Sequence, residues 1–143
     1  MSSSSQRNDA KPQRLDRDSL DKLSRIIITK AIQVHSKLGP GLLESVYRVC
    51  LVHELRKDGL RVVAEQLVAV IYDGELQIDH GYRLDLLVED ELIVEIKAVE
   101  KILPVHLAQL LSYLRLTDRR LGLLLNFNAP RLVQGLRRVV NKF

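Results

Sequence analysis

The segment "YRLDLLVEDELIVEIKA", residues 82–98, constrains the fold more than any other part of the chain. Aliphatic side chains recur at every second position on both sides of a central acidic cluster. This period predicts two antiparallel strands joined by a three-residue loop, with Val88 opposite Leu92. Asp85 then lies opposite Glu95, because a slip by one residue would turn Glu95 into the apolar face. That face is predicted to be core, and it comprises Tyr82, Leu84, Leu86, Val88, Leu92, Val94, Ile96 and Ala98.

The acidic face of this hairpin is the first candidate site. Two opposed residues have Cβ atoms about 5 Å apart, and like charges at that distance repel. Leu87 and Ile93 lie on the same face, so the two carboxylates are expected to be half-buried and to need a shared proton or a cation. Hard oxygen ligands suit Mg²⁺ or Mn²⁺. Lys97 points to the same face, with Arg83 as its cross-strand partner. The alternative is an exposed ladder of ion pairs.

The rest of the chain alternates between helical and strand periods. Residues 1–17 are expected to form a disordered tail, and residues 18–143 a single domain. The final segment could be helix or strand, and its period does not decide. The predicted elements are helices at about 20–38, capped by Asp18 or Ser19, at about 42–57 and at about 104–117, and strands at about 61–72, 78–88, 92–99 and 121–127.

Charge and composition limit the function classes. The net charge is +4, and residues 115–143 carry seven basic side chains and one acidic. A basic end suits a polyanion partner, although a solvated surface explains it equally well. The candidate phosphate contacts there are Arg115, Arg119, Arg120, Arg131, Arg137 and Arg138. Cys50 is the single cysteine, which excludes an internal disulfide and a thiolate zinc site. No apolar run approaches a membrane span and no secretory signal is seen, so a cytoplasmic protein is expected.

Two helices carry further candidate residues. Glu44 and Tyr47 are three residues apart on one helix face and could project together onto the acidic hairpin. Compensation of the helix dipole is the alternative for Glu44, and core packing with a satisfied hydroxyl is the alternative for Tyr47. His106, Gln109 and Tyr113 form a polar stripe that could hold a phosphate or orient a carboxylate. His106 alone is more often a surface or satisfied core histidine, and no zinc site is predicted.

Several motifs together resemble a known family. Asp85, nine residues, and then Glu95-Ile96-Lys97 resembles the PD-(D/E)XK nuclease signature, although the usual proline before the aspartate is absent. The spacing of Gln109 and Tyr113 resembles the QxxxY motif of the RecB-type and lambda-exonuclease-like branch. "GLLESVY" and "LLLNFNAP" resemble the corresponding motifs of the small GxxExxY proteins. The resemblance covers about residues 20–143.

The resemblance implies an α/β fold of restriction-endonuclease type, a three-layer α/β/α sandwich with a central four-stranded mixed sheet. It implies metal-dependent hydrolysis of nucleic-acid phosphodiesters, DNA more than RNA, with a homodimer as a further expectation and no membrane. Mg²⁺ or Mn²⁺ would be held by Asp85, Glu95, the Ile96 carbonyl and, directly or through water, Glu44, with Lys97 in a catalytic role. The substrate-binding candidates are Gln109, Tyr113, Tyr47 and His106. The alternatives are a non-catalytic nucleic-acid- or partner-binding module, and a hydrolase or sensor for another phosphorylated ligand.

Overall fold

The computed structural model describes residues 14–143, so most of the predicted tail lies outside the described residues. Within them, the first helix begins at Arg17, one residue before the predicted domain boundary, and Asp16 caps it by accepting a hydrogen bond from the Ser19 N–H. The capping residue is therefore Asp16, whereas Asp18 or Ser19 was predicted. The helices are α1 (Arg17–Leu38), α2 (Glu44–Lys57) and α3 (Pro104–Thr117). The strands are β1 (Val62–Tyr72), β2 (Leu76–Val88), β3 (Leu92–Lys97), β4 (Leu121–Asn126) and β5 (Leu136–Val140).

The strands form one mixed sheet in the order β1-β2-β3-β4-β5. β3 and β4 are parallel, and the other neighbours are antiparallel. The predicted register of the acidic hairpin is confirmed, because Val88 pairs with Leu92 and Leu86 with Val94. The predicted count of four strands is wrong. The undecided final segment forms a short 3-10 turn and then β5, whose half-exposed position at the sheet edge weakens its alternation.

Helices cover both faces of the central strands. α1 and α2 pack on one face through a core that includes Ile27 and Leu51, and α3 packs on the other through Leu110 and Leu114. The long β1–β2 hairpin extends beyond these layers, and Tyr72 near its tip is 67% exposed. The three-layer description therefore applies to the centre of the sheet and not to its first two strands.

The predicted apolar face of the hairpin changes sides at Asp85. Leu86 packs in the core with α1 and α2, whereas Leu84 and Tyr82 pack with the α3 cluster, so the prediction that all three share one face is wrong for Leu84 and Tyr82. Opposite Asp85, Glu65 has a φ of 56°, and the pairing of β1 with β2 omits these two residues. A left-handed residue interrupts the alternation of a strand. In each strand, the even-numbered apolar side chains before this point and those after it therefore lie on opposite faces of the sheet.

Gly135 marks a close approach between backbone segments. A Cβ at this position would lie 2.4 Å from the Asn126 carbonyl oxygen and 3.0 Å from the Ala129 Cβ. Because a backbone oxygen cannot move aside as a flexible side chain can, we expect Gly135→Ala to lower the free energy of unfolding by about 2 kcal/mol or more. Urea denaturation checks this expectation. The clash is specific to this position, because nothing lies within 4 Å of a Cβ built at Gly59. A loss well below 1 kcal/mol in Gly135→Ala would contradict the clash.

Candidate active site

Asp85 and Glu95 meet where β2 and β3 separate. Their backbone pairing ends at Leu86 and Val94, and side chains take over the next positions. Asp85 Oδ2 accepts a hydrogen bond from the Ile96 N–H at 2.8 Å, and Glu95 Oε2 accepts one from the Asp85 N–H at 3.0 Å. The two carboxylates thus satisfy the backbone of a gap between neighbouring strands, with Glu95 only 5% exposed.

The electrostatics of this pair are unfavourable for two negative charges. Burial raises the pKa of Glu95 to about 8, and the neighbouring charge of Asp85 adds to the increase. Burial also raises the pKa of Asp85, while the Ile96 N–H and the Arg48 guanidinium oppose that change. The site therefore favours retaining a proton or gaining a cation at neutral pH.

Lys97 and Gln109 lie beside the carboxylates. The Lys97 Nζ donates a hydrogen bond to Gln109 Oε1 at 3.3 Å, which links the end of β3 to α3. The charge of Lys97 lowers the pKa of both Asp85 and Glu95, although less than burial raises it. Gln109 is exposed, so its other polar atoms can meet a ligand. The polar stripe of α3 was predicted to face the acidic hairpin, and the contact between Gln109 and Lys97 shows that Gln109 does so.

Tyr113 is part of the wall of the site. Its ring stacks on Tyr82 with centroids 4.4 Å apart, and it is 9% exposed. Burial, followed by the nearby charges of Glu95 and Asp85, raises the pKa of its phenol to about 12. The phenol therefore stays protonated at neutral pH and can donate a hydrogen bond.

Glu44 begins α2 and is exposed. Its charge contributes to the raised pKa of both Asp85 and Glu95, so it lies within electrostatic range of them. Within residues 14–143, however, no three histidine, cysteine or acidic side chains come close enough to hold a metal ion together. In this conformation the two adjacent carboxylates are those of Asp85 and Glu95, with Glu44 outside the pair, and its predicted role as a ligand, directly or through water, stays a prediction. The side chain of Glu44, at the first position of α2, is exposed to solvent.

Tyr47 has a structural role, which corrects its predicted contact with substrate. It is fully buried and stacks on Phe127 with centroids 4.6 Å apart. Its hydroxyl donates to the Gly39 carbonyl at 2.6 Å and accepts from the Leu42 N–H at 3.1 Å. A side chain without exposed surface and with both hydrogen-bonding functions used cannot contact a ligand. It fixes the loop that places Glu44 at the start of α2.

His106 also has a structural contact. Its Nδ1 accepts a hydrogen bond from the Leu103 N–H at 2.9 Å, so it caps the start of α3. The contact orients the first turn of the helix that carries Gln109. Its predicted role in substrate binding depends on the other ring nitrogen and stays a prediction.

The donor set fits a hard divalent ion. Glu95 Oε1 and Asp85 Oδ1 accept no hydrogen bond among the described residues, because only the second oxygen of each carboxylate accepts an N–H. Asp85 Oδ1 is, however, ion-paired with Arg48 Nη1 at 3.7 Å. The N–H and carbonyl of one residue point to the same edge of a strand. Since the Ile96 N–H points at Asp85, its carbonyl is directed into the same gap. Carboxylate and carbonyl oxygens are the ligands that Mg²⁺ and Mn²⁺ prefer.

Two residues near the pair were not predicted. Arg48 Nη1 lies 3.7 Å from Asp85 Oδ1, and Arg48 also reaches Glu65 on β1. Arg48 could have been suspected from the sequence, because it is four residues after Glu44 and shares its helix face. Glu65 gave no signal, since its left-handed backbone is not visible in the sequence. Three of the predicted phosphate contacts are engaged elsewhere: Arg119 pairs with Asp90, Arg120 with Glu91, and Arg138 with Asp21.

Comparison with known families identifies one match. The model of the PD-(D/E)XK nuclease superfamily matches residues 21–139, which include every residue of the site described above. Comparison with the curated proteins and with the solved structures gives no significant match. In the part of the chain that the structure describes, no helix has the length and apolar character needed to cross a membrane.

Proposed function

Because the chain belongs to the PD-(D/E)XK nuclease superfamily, we propose that it hydrolyses phosphodiester bonds in a nucleic acid. The observation that carries this proposal is the pair Asp85 and Glu95, buried together with raised pKa values and with Lys97 alongside. For the structural role alone, neutral amide side chains could accept the same two backbone N–H groups without placing two carboxylates that resist ionisation side by side. A site that binds a cation and a phosphate uses both features.

The carboxylates and the Ile96 carbonyl are the proposed ligands of Mg²⁺ or Mn²⁺, with Glu44 joining directly or through water. When bound, such an ion withdraws charge from the phosphate and makes water a better nucleophile. The protein contributes two deprotonated ligands at fixed positions, since backbone N–H groups orient Asp85 and Glu95. This preorganisation reduces the rearrangement needed on binding.

Lys97 is the proposed catalytic cation. Its ammonium can orient a water and stabilise the negative charge that develops on the phosphate oxygens. Gln109 holds the ammonium by its side-chain carbonyl, and Tyr113 offers a protonated phenol at the wall of the site. Both are proposed to position substrate.

Finer assignments follow the sequence motifs. We propose that the chain belongs to the GxxExxY group, because of the spacing of Gly41, Glu44 and Tyr47. We also propose that it belongs to the QxxxY branch, because of the spacing of Gln109 and Tyr113. DNA is the proposed substrate in preference to RNA, and a homodimer is the proposed form that spans a duplex. A cytoplasmic location completes the proposal.

A second candidate function is nucleic-acid binding without cleavage. The specific observation that favours it is the arrangement around Asp85, where the Ile96 N–H and the Arg48 guanidinium lower the pKa of the carboxyl and so offset part of the effect of burial. A binding module would show salt-dependent affinity and no requirement for a divalent ion.

The cleavage assay that tests the proposal compares wild type with Lys97→Ala. We expect wild type to cleave DNA in Mg²⁺ or Mn²⁺ and not in a chelator, and Lys97→Ala to be about 100-fold slower, because removing one charge-stabilising group costs that much. Lys101→Ala is the matched control, since this lysine is exposed four residues further on. Equal rates for all three proteins would indicate a contaminating nuclease and contradict the proposal. DNA binding by all three proteins, with no cleavage by wild type, would favour the second candidate.

A further inference from the structure

The carboxylate of Glu65 lies between two guanidinium groups next to the candidate active site. Glu65 Oε1 is 3.4 Å from Arg48 Nη2 and 3.4 Å from Arg83 Nη1. The other terminal nitrogen of Arg48, Nη1, lies 3.7 Å from Asp85 Oδ1. Three side chains from α2, β1 and β2 therefore form a cluster that is continuous with the carboxylate pair.

The backbone at Glu65 is in an uncommon conformation. Its φ of 56° is left-handed in the middle of β1, a backbone conformation that is strained for a residue with a Cβ. The regular pairing of β1 with β2 is interrupted at the same position, opposite Asp85. Strain of this kind is concentrated at functional sites, because the surrounding structure must maintain it for a purpose. Here it accompanies a carboxylate held by two arginines.

We propose that Arg48 and Arg83 form a clamp for a backbone phosphate of the nucleic acid, and that Glu65 occupies this clamp until the phosphate displaces it. Guanidinium groups bind carboxylate and phosphate oxygens with the same geometry. A phosphodiester carries one negative charge, as Glu65 does, so the exchange leaves the charge of the clamp unchanged. The inference rests on the proposed function, because it takes the ligand to be a nucleic acid.

Exposure supports an exchange at this position. The side chains of Glu65 and Arg83 are 43% and 57% exposed, so an incoming phosphate can reach them and Glu65 can move into solvent. Arg48 is only 14% exposed, which fixes its direction between the clamp and Asp85. A phosphate held there would neighbour the carboxylate pair. Contacts of this kind fix the position of a strand without reading its sequence.

Binding of a fluorescently labelled DNA oligonucleotide, measured by anisotropy in a chelator, tests the clamp without any cleavage. We expect Glu65→Gln to bind about fivefold to tenfold more tightly than wild type, because an uncharged amide competes less well for the arginines. Glu89→Gln is the matched control. It removes the same charge from an ion pair with Arg61 at the turn between β2 and β3, and its affinity should equal that of wild type.

Arginine variants separate the clamp from a general charge effect. Arg83→Ala should weaken binding and reduce the slope of log affinity against log salt by about one, as expected for one lost phosphate contact. In a protein with both Arg48→Ala and Arg83→Ala, the further change Glu65→Gln should give no gain. A gain that persists there, or a gain of equal size in Glu89→Gln, would overturn the proposal.

The source of the phosphate is distinguished by competition. We expect inorganic phosphate to compete only weakly with the oligonucleotide, since it lacks the neighbouring contacts of a strand. If the oligonucleotide does not bind, or binds without dependence on Glu65, the clamp proposal fails whatever the cleavage assay shows. Conversely, tighter binding by Glu65→Gln in a protein that never cleaves would support the clamp and refute the nuclease proposal.

Discussion

Asp85→Asn is expected to reduce metal-dependent cleavage by about 10³-fold or more, because it removes a charged ligand from the ion that stabilises the reacting phosphate. The substitution keeps the shape of the side chain, and its remaining carbonyl oxygen can still accept the Ile96 N–H. A loss of activity would thus report the lost charge and not a collapsed gap between β2 and β3. Single-turnover cleavage at saturating enzyme measures the chemical step directly.

Asp79→Asn is the matched control for this variant. Asp79 is an exposed residue of the same strand, and its side chain accepts a hydrogen bond from Gln77. We expect its cleavage rate to equal that of wild type. Thermal unfolding of both variants near the wild-type temperature would show that the fold is intact. A rate for Asp85→Asn within a few-fold of wild type would remove Asp85 from the site.

The second large effect concerns pH and stability without metal. The folded-state pKa of Glu95 is about 8, well above the ordinary glutamate value of 4.5. Its contribution to stability is therefore present below the lower value and is lost as pH rises toward the higher one. Between about pH 5 and pH 8 we expect the metal-free protein to lose unfolding free energy because of this group, by at most about 1 kcal/mol per pH unit. Over this pH range the corresponding fall in melting temperature is on the order of 10 °C.

A divalent ion should reverse this loss. At about pH 8, Mg²⁺ or Mn²⁺ compensates the two carboxylates in the folded state and raises the melting temperature by mass action. Calorimetry at several pH values, with a chelator and with metal, measures both effects. Glu95→Gln should flatten the pH dependence and remove most of the response to metal, because an amide carries no titrating proton and no negative charge. The fold should be retained, since the amide oxygen can still accept the Asp85 N–H. An unchanged pH profile in Glu95→Gln would show that another group causes it.

The hairpin register was predictable from sequence because it depends on a single strong pattern. Aliphatic residues alternate on both sides of the turn, and only one pairing keeps Glu95 out of the core. The same pattern could not reveal that the faces exchange at Asp85, since that exchange accompanies a left-handed residue on the neighbouring strand. The final segment could not be assigned to helix or strand from its sequence, because an exposed edge strand requires little hydrophobic periodicity.

Site residues were predictable where their chemistry was unusual for their position. Asp85, Glu95 and Lys97 stand out as charges between buried aliphatic residues, and the structure brings them together. The roles of Tyr47 and His106 were harder to predict, because a helical pattern shows which face a residue occupies but not which group its polar atom contacts. Both polar groups contact the backbone of nearby loops. Arg48 was not predicted, because arginines on helices usually extend into solvent.

Calorimetric titration of the protein with Mn²⁺ at about pH 8, where the Glu95 carboxyl loses its proton, tests the central claim most directly. The account predicts that wild type binds Mn²⁺ at a saturable site, that Asp85→Asn and Glu95→Gln each lose this binding, and that Asp79→Asn retains it. Equal Mn²⁺ binding by all four proteins, or none by wild type, would show that the Asp85–Glu95 pair is not a metal site.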